Sequence, residues 1–391
     1  MADRFSLLSQ ISENIKDIKL YNFKFVEQFY NIIVLKIIHC DCVLLNATPT
    51  NIIDLQIYCC QLQYLDGIEQ MLQLQKLDLN TNCINELGKL SNLINLTFID
   101  LHDNQICDIT PLQTLVNLQE LYLWSNQIED ISAVKKLTNL KILNLGGNNI
   151  SDITTLSSLT ELNTLYLWDN LVTEIESLQY LTKLKIMSVR TSWKVPISQQ
   201  FQNIQYISRL TNLTDLFISR SQVSDISTLR NLTNLSVLEL CENRISDISS
   251  IRYLSKITDL LLDQNIIVDI YVIKYLTKLQ KLNINSNRVV DLTPLRNLSN
   301  LIELFAIKNQ IVHYALNLNF HTLFLEENYI QNFQSTIANA QYDLQFFPNQ
   351  RQILESHSQK AINQIFDIKL KLDSFLEKIA ELLSRNLLAD Q

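Results

Sequence analysis

The sequence predicts an α/β solenoid, in which every coil of the chain adds one short strand to a parallel sheet. Three observations predict this fold: a 22-residue period, a phrase L-x-x-L-x-L-x-x-N that recurs with that period, and a threefold spacing of apolar residues after each asparagine. A fixed period of this length indicates stacked repeats, so the 391 residues do not divide into ordinary globular domains. The asparagines that end the phrase are Asn82, Asn104, Asn126, Asn148, Asn170, Asn243, Asn265, Asn287 and Asn309.

Other residues occupy the same place, which we call the ladder position. Cys60 lies one period before the first asparagine, Ser192 and Ser221 lie between the two series, and Asn328 follows a shortened unit of 19 residues. The ladder therefore has thirteen positions, and a degenerate one is predicted before them, near Cys40.

The L-x-L segment of each phrase predicts a strand, because its residues alternate between apolar and polar. Parallel stacking of one strand per repeat pairs the backbone of each strand with both neighbours. The side chain at the ladder position then points inward, where an asparagine both donates and accepts hydrogen bonds to adjacent coils. Cysteine or serine satisfies part of this need, so Cys60, Ser192 and Ser221 fit the ladder, and we expect no zinc site.

The threefold spacing after the ladder position predicts a short helical or 3-10 segment on the outer side of each coil. An acidic residue recurs just before this segment, where it is expected to cap the first N–H groups rather than to collect cations. These residues are Glu86, Asp108, Asp130, Asp152, Glu174, Asp225, Asp247, Asp269 and Asp291. Ser192 and Ser221 are 29 residues apart, and the extra residues predict one longer outer helix.

Both ends of a solenoid need a cover for the exposed core. Residues 1–45 are predicted to form an N-terminal helical cap that includes the degenerate first repeat, and residues 46–335 the solenoid. Residues 336–391 are predicted to form a C-terminal helical cap or tail. Its broad apolar stripe favours packing on the last repeats or on a partner, and dimerisation as a coiled coil is the alternative.

Composition argues against several classes of function. The formal charge of −8 and the absence of a basic stripe argue against a nucleic-acid-binding protein. The first twenty residues carry charges throughout, and the sequence has no run of about 18 apolar residues, so neither a signal peptide nor a membrane span is expected. Seven cysteines without a disulfide framework favour a reduced, intracellular protein, cytoplasmic or nuclear.

Between about residues 50 and 330 the pattern resembles the leucine-rich-repeat superfamily, whose members form a horseshoe with a parallel inner sheet. The residue pattern of the repeats, for example "NQICDITPLQTLVNLQELYL" at residues 104–123, is most similar to that of two groups of proteins. One is the regulatory leucine-rich-repeat subunit of type-1 protein phosphatase, and the other is the bacterial internalins. The resemblance implies a protein-binding scaffold without enzymatic activity or a cofactor.

The candidate binding residues are aromatic side chains on or beside the concave face, at outward positions of the predicted strands or next to the ladder position. They are Phe98, Tyr122, Trp124, Tyr166, Trp168, Trp193 and Phe217. Exposed aromatic residues contribute little to the fold, and tyrosine and tryptophan are enriched among interface hot spots. Two Tyr-Trp pairs, separated by one repeat that contains Gly146, predict a shallow slot with a glycine floor; stacking of the rings on one another is the alternative.

Charged residues are expected to flank this slot and to steer the partner. Acidic residues lie on its N-terminal side, namely Asp54, Asp78, Asp100, Asp103 and Glu120. Arginines lie along its C-terminal rim, namely Arg190, Arg220, Arg244 and Arg288, mixed with further acids. His102 between Asp100 and Asp103 is the best catalytic constellation, and it is weak. The leading hypothesis is a scaffold that binds a protein, with regulation of a phosphatase as the first instance to test. An internalin-like surface adhesin and a sugar-binding surface are the alternatives.

Overall fold

The computed structural model describes residues 17–20, 33–39, 45, 50–312 and 320–328. In these residues fifteen strands form one sheet in chain order, and every neighbouring pair is parallel. The strands, β1 to β15, are Asp17–Leu20, Val34–Ile38, Asp54–Tyr58, Lys76–Asp78, Phe98–Asp100, Glu120–Tyr122, Ile142–Asn144, Thr164–Tyr166, Ile186–Arg190, Asp215–Ser219, Val237–Glu239, Asp259–Leu261, Lys281–Asn283, Glu303–Phe305 and Thr322–Phe324. The predicted solenoid with a parallel sheet is confirmed.

The sheet register places the same repeat position of every coil side by side. Leu121 of β6 pairs with Leu143 of β7, which pairs with Leu165 of β8. All three leucines are fully buried, whereas the strand residues on either side of them are half-buried and face the opposite way. The core is therefore a stack of aliphatic layers. The strand residues that face away from the core form one continuous surface of the sheet, opposite the core.

The asparagine ladder is present in the form that the sequence predicts. Asn148 is buried; its Oδ1 accepts the Ile128 N–H at 3.0 Å, and its Nδ2 donates to the Leu123 and Leu145 carbonyls at 3.0 and 2.9 Å. Each asparagine thus links its own turn to the preceding coil. Cys60, one of the substitutes, also links two coils: its thiol donates to the Tyr58 carbonyl at 3.2 Å and to the Ile37 carbonyl at 3.9 Å.

The residue directly before the ladder position has a left-handed backbone in nearly every coil. Asp103, Asp169 and Lys308 have φ values of 55°, 53° and 56°, and Gly147 has 63°. Such φ values are uncommon outside glycine. They turn the chain out of the strand and place the side chain of this residue beside the surface of the sheet that faces away from the core. We call this residue the rim residue.

Between β3 and β14 the returning side of each coil contains a 3-10 helix, as predicted. The described helices are Ile68–Gln70, Gly88–Leu90, Thr110–Thr114, Ser132–Lys136, Thr154–Ser158, Glu176–Tyr180, Ile197–Gln199, Gln205–Arg209, Ser227–Asn231, Ser249–Tyr253, Tyr271–Tyr275 and Thr293–Leu295. Capping by the recurring acid is confirmed for its aspartates: Asp247 Oδ1 accepts the Ser249 N–H at 2.7 Å, and Asp108, Asp130, Asp152, Asp225, Asp269 and Asp291 accept the equivalent N–H.

A second asparagine column, which the sequence analysis did not predict, runs along the outer side. Asn117 donates from Nδ2 to the Ile94 carbonyl of the preceding coil at 2.9 Å, and Asn139 donates to the Val116 carbonyl at 2.9 Å. The signal was readable, because these asparagines also recur every 22 residues. The column satisfies outer carbonyl groups that a 3-10 turn leaves unpaired.

The prediction for the insertion needs correction, whereas the N-terminal end is described only in part. Val34–Ile38 is the strand of the predicted degenerate first repeat, and Asp17–Leu20 pairs with it as one further strand. Most of the predicted N-terminal helical cap lies outside the described residues. The 29-residue repeat contains two 3-10 helices, at 197–199 and 205–209, instead of one longer helix. The break comes after Gln199, where the backbone becomes extended at Gln200, with φ −66° and ψ 145°. The predicted C-terminal helix, residues 336–391, lies outside the described residues.

Candidate interaction face of the sheet

The outward strand positions and the rim residues form a surface that we call the open face. In each coil from β3 to β15 it comprises the residues six, four and two places before the ladder position, and the rim residue. Tyr122 pairs with Asn144, which pairs with Tyr166, so the two tyrosines are separated by one strand, at a spacing of about 10 Å. The alternation of the strands thus places the predicted aromatic residues of β5 to β8 on this face.

Trp168 does not border an open slot. An added Cβ on Gly146 would lie only 2.2 Å from Trp168 Cε2, which means that the indole lies directly on this glycine. The ring reaches Trp124, at a centroid distance of 6.1 Å and an interplanar angle of 49°. The predicted glycine floor is therefore covered. Only glycine lets the two tryptophans of alternate coils meet across the coil between them.

His102 also packs against Trp124. Its imidazole stacks on Trp124 with centroids 4.0 Å apart and an interplanar angle of 10°. Asp100 Oδ1 lies 2.7 Å from His102 Nδ1 and fixes the orientation of the ring. The residues proposed as the best catalytic constellation thus include a histidine that packs against Trp124. We call His102, Trp124 and Trp168 the ring row.

Beside the ring row lies a second aromatic contact. The rings of Phe98 and Tyr122 are 5.6 Å apart, and the Tyr122 hydroxyl donates to Glu120 Oε2 at 3.1 Å. Burial, followed by the neighbouring charge of Glu120, raises the pKa of Tyr122 to about 12. The phenol therefore stays protonated and serves as a hydrogen-bond donor and an apolar surface.

The predicted arginines do not form a separate cationic rim. Arg190 Nη2 lies 3.1 Å from Glu242 Oε1, and Arg220 Nε lies 3.4 Å from Glu242 Oε2. One glutamate thus engages both cations, and the charge division expected from the sequence is reduced. Arg244 directly follows the ladder asparagine, and its backbone N–H donates to the Val223 carbonyl of the preceding coil. It therefore lies on the other side of the ladder position from the open face, and we call this side the far rim.

The two remaining predicted residues lie apart from the ring row. Phe217 is half-buried on β10 and is separated from Tyr166 by Ser188 of β9. Trp193 follows the ladder position, and 71% of its surface is exposed. Sequence reasoning also missed Phe305, which stacks on the next strand's Phe324 at 5.4 Å, although both occupy the same repeat position as Tyr122.

Comparison with known proteins identifies the family to which this architecture belongs. Residues 116–158 match the family model for leucine-rich repeats in two copies. An internalin of Listeria monocytogenes, InlF, has 34% sequence identity over 74% of this chain and 84% of its own, with a TM-score of 0.67. The chain belongs to the leucine-rich-repeat superfamily. A leucine-rich-repeat protein of Leptospira interrogans matches 87% of this chain and 98% of its own at 21% identity, with a TM-score of 0.69.

Leucine-rich-repeat proteins generally act as protein-binding scaffolds and use the concave face of the sheet. A plant peptide hormone receptor, RGFR1, solved in complex with RGF2, shares the fold at 20% identity over 82% of this chain and 60% of its own, with a TM-score of 0.58. No curated protein matches the chain. The fold is typically non-enzymatic.

Among the residues that the structure describes, no group of three or more His, Cys, Asp or Glu is placed to hold a metal ion. No helix within the described ranges has the length and apolarity needed to cross a bilayer. Cys241 is buried, and its thiol donates to Asp263 Oδ1 at 2.7 Å.

Proposed function

We propose that this protein is a non-enzymatic scaffold that binds a protein partner through the ring row on the open face. The single observation that carries the proposal is the Trp124–Trp168 contact across Gly146. The aliphatic core is already complete without these rings, because every core leucine of their strands is fully buried. Half-buried tryptophans on a sheet surface gain most from a partner that covers them.

The ring row has the properties of an interface anchor. Its rings are held in place by stacking and by the Asp100 hydrogen bond, so binding orders few further side chains. Each tryptophan anchor contributes about 2 kcal/mol or more when a partner covers it. The half-buried phenols of Tyr122 and Tyr166, in the same face, extend the apolar surface around it.

A pull-down from cell lysate tests this proposal with two matched variants. The Trp124→Ala, Trp168→Ala double variant should lose the partner that the wild-type chain retains. The control is Tyr253→Ala, Tyr271→Ala, which removes two exposed aromatic rings from the outer 3-10 helices. Circular dichroism should be the same for all three chains. An identical partner list for the wild type and the tryptophan variant would overturn the proposal.

For the identity of the partner, the first protein to test is the catalytic subunit of a type-1 phosphatase. The reason is the 22-residue period and the wording of the repeats, which resemble its regulatory subunit. With this partner, the protein would act inside the cell. Direct binding of the purified subunit, and its loss in the tryptophan double variant, are the expected results.

An internalin-like surface adhesin is the second candidate, and the similarity of 34% to a Listeria internalin favours it. The two functions differ in location. Labelling of intact cells with a membrane-impermeant reagent should leave the chain unmodified if it acts inside the cell. Labelling equal to that of a known surface protein would favour the adhesin.

A further inference from the structure

The charge of the molecule is concentrated on the open face. From β3 to β15 this face carries fourteen carboxylates and five lysine or arginine side chains, a formal charge of −9, whereas the whole chain has −8. The two arginines on the far rim, Arg244 and Arg288, change the total only to −7. The carboxylates are Asp54, Asp78, Asp100, Asp103, Glu120, Asp169, Asp215, Glu239, Glu242, Asp259, Asp263, Glu303, Glu326 and Glu327.

The face around the aromatic residues shares this negative charge. On β3 to β8, with their rim residues, the open face has six carboxylates and a single lysine, Lys76. Asp103 and Asp169 are exposed rim residues, and each directly follows a member of the ring row, His102 and Trp168. The ring row therefore has a carboxylate at each end.

These charges have little compensation within the described residues. The nearest arginines, Arg190 and Arg220, are engaged by Glu242. Burial raises the pKa of Asp78, and the adjacent Asp100 raises it further, against the hydrogen bond from the Asn80 N–H. Neighbouring carboxylates on one sheet face thus repel one another, and an added cation relieves this repulsion.

We propose that the open face between β5 and β8 binds a basic segment of the partner protein. This inference rests on the proposed function, and it names the chemistry of what the ring row binds. Arginine or lysine side chains fit the site on two grounds. Their stems and planar groups pack on indole faces, and their charges pair with the flanking carboxylates.

The geometry also sets a spacing. Asp103 and Asp169 belong to coils three strands apart, so their side chains are separated by about 14 Å. An extended peptide covers this distance in about four residues. Basic residues at positions i and i+4 of an extended segment also point to the same side. The preferred segment is therefore Arg-x-x-x-Arg with apolar residues between the arginines, laid across the strands over the ring row.

The test uses the full chain and two synthetic peptides of equal length. One contains Arg-x-x-x-Arg with leucine at the intervening positions, and the other has glutamate in place of both arginines. Binding is followed by tryptophan fluorescence at low and high salt. The arginine peptide should bind at least tenfold more tightly than the glutamate peptide, and the difference should shrink at high salt.

Two charge-reversal variants of equal size identify the surface. Asp103→Lys with Asp169→Lys adds positive charge beside the ring row; Lys308 has the same backbone geometry at its rim position, so lysine is compatible there. Glu129→Lys with Glu176→Lys makes the same net change at exposed positions outside the open face. The first variant should weaken the arginine peptide at least tenfold, and the second should leave its affinity within about twofold.

The outcomes separate this inference from the proposed function. Equal affinity for both peptides, or equal effects of the two charge variants, would overturn the inference. A partner that is lost in the tryptophan double variant, but is retained in Asp103→Lys, Asp169→Lys, would leave the scaffold function intact and exclude the basic segment. Arginine-peptide binding together with unchanged partner capture by the tryptophan variant would instead contradict the proposed function.

Discussion

Gly146→Ala offers a test of the ring row in which one methyl group displaces a tryptophan. The added Cβ would lie 2.2 Å from Trp168 Cε2, and ordinary carbon contacts are at about 3.5 Å or more, so the indole must move by about 1.3 Å. The backbone of Gly146 lies outside the left-handed region, and alanine is compatible with it. The substitution therefore separates Trp168 from Trp124 without a direct change to either tryptophan.

The expected result is a change in tertiary structure at the ring row and a loss of binding. Near-ultraviolet circular dichroism should show altered tryptophan bands, while the far-ultraviolet spectrum stays unchanged. If one anchor of about 2 kcal/mol is lost, affinity for the captured partner falls about 30-fold. Gly88→Ala is the matched control, because no atom lies within 4 Å of its added Cβ. A Gly146→Ala protein with wild-type tryptophan bands and wild-type affinity would refute the proposed packing.

Three further predictions concern the scaffold. Asn148→Ala should lower the free energy of unfolding by about 1–3 kcal/mol, because it leaves the buried Ile128 N–H without its acceptor and removes one of the two asparagine donors to each of the Leu123 and Leu145 carbonyls. Asn149→Ala, outside the ladder, should change it by under about 0.5 kcal/mol in urea unfolding. The Ser227 N–H, and then its hydroxyl, lower the pKa of Asp225, so Asp225→Ala should cost about 1 kcal/mol at neutral pH. The stabilisation is present above the unfolded-state pKa of about 4 and is lost as pH falls through the lower folded-state value; a difference in melting temperature that persists at the acid end of a pH series would contradict this. Burial strongly raises the pKa of Cys241, whereas Cys107 is exposed. After iodoacetamide treatment of the native protein, mass spectrometry should therefore find Cys107 alkylated well before Cys241. Equal rates of alkylation would contradict the burial of the Cys241 thiol.

The sequence was sufficient for the repeat architecture because the signals are local and periodic. The alternation around Leu121 and the 22-residue recurrence of residues such as Asn148 each determine a position that recurs in every coil. Hydrogen bonds between coils then follow from stacking. The outer asparagine column of Asn117 and Asn139 was predictable by the same logic, because these residues also recur every 22 residues.

The candidate site was less predictable, because it depends on side-chain conformations. Sequence spacing places Trp124 and Trp168 on one face, but it does not determine that the second indole lies on Gly146. The pairing of Glu242 with Arg190, 52 residues away, likewise depends on how neighbouring rim side chains turn. Both effects alter the site, since the first covers the predicted slot and the second weakens the predicted cationic rim.

We propose that the ring row is the surface that a partner covers. Oxidative footprinting of the full chain, alone and with its captured partner, measures this directly for each aromatic side chain. We expect strong protection of Trp124, Trp168 and Tyr122 in the complex, with Tyr253 and Tyr271 on the outer side labelled equally in both states. Unchanged labelling of both tryptophans, with protection confined to the outer tyrosines, would contradict it.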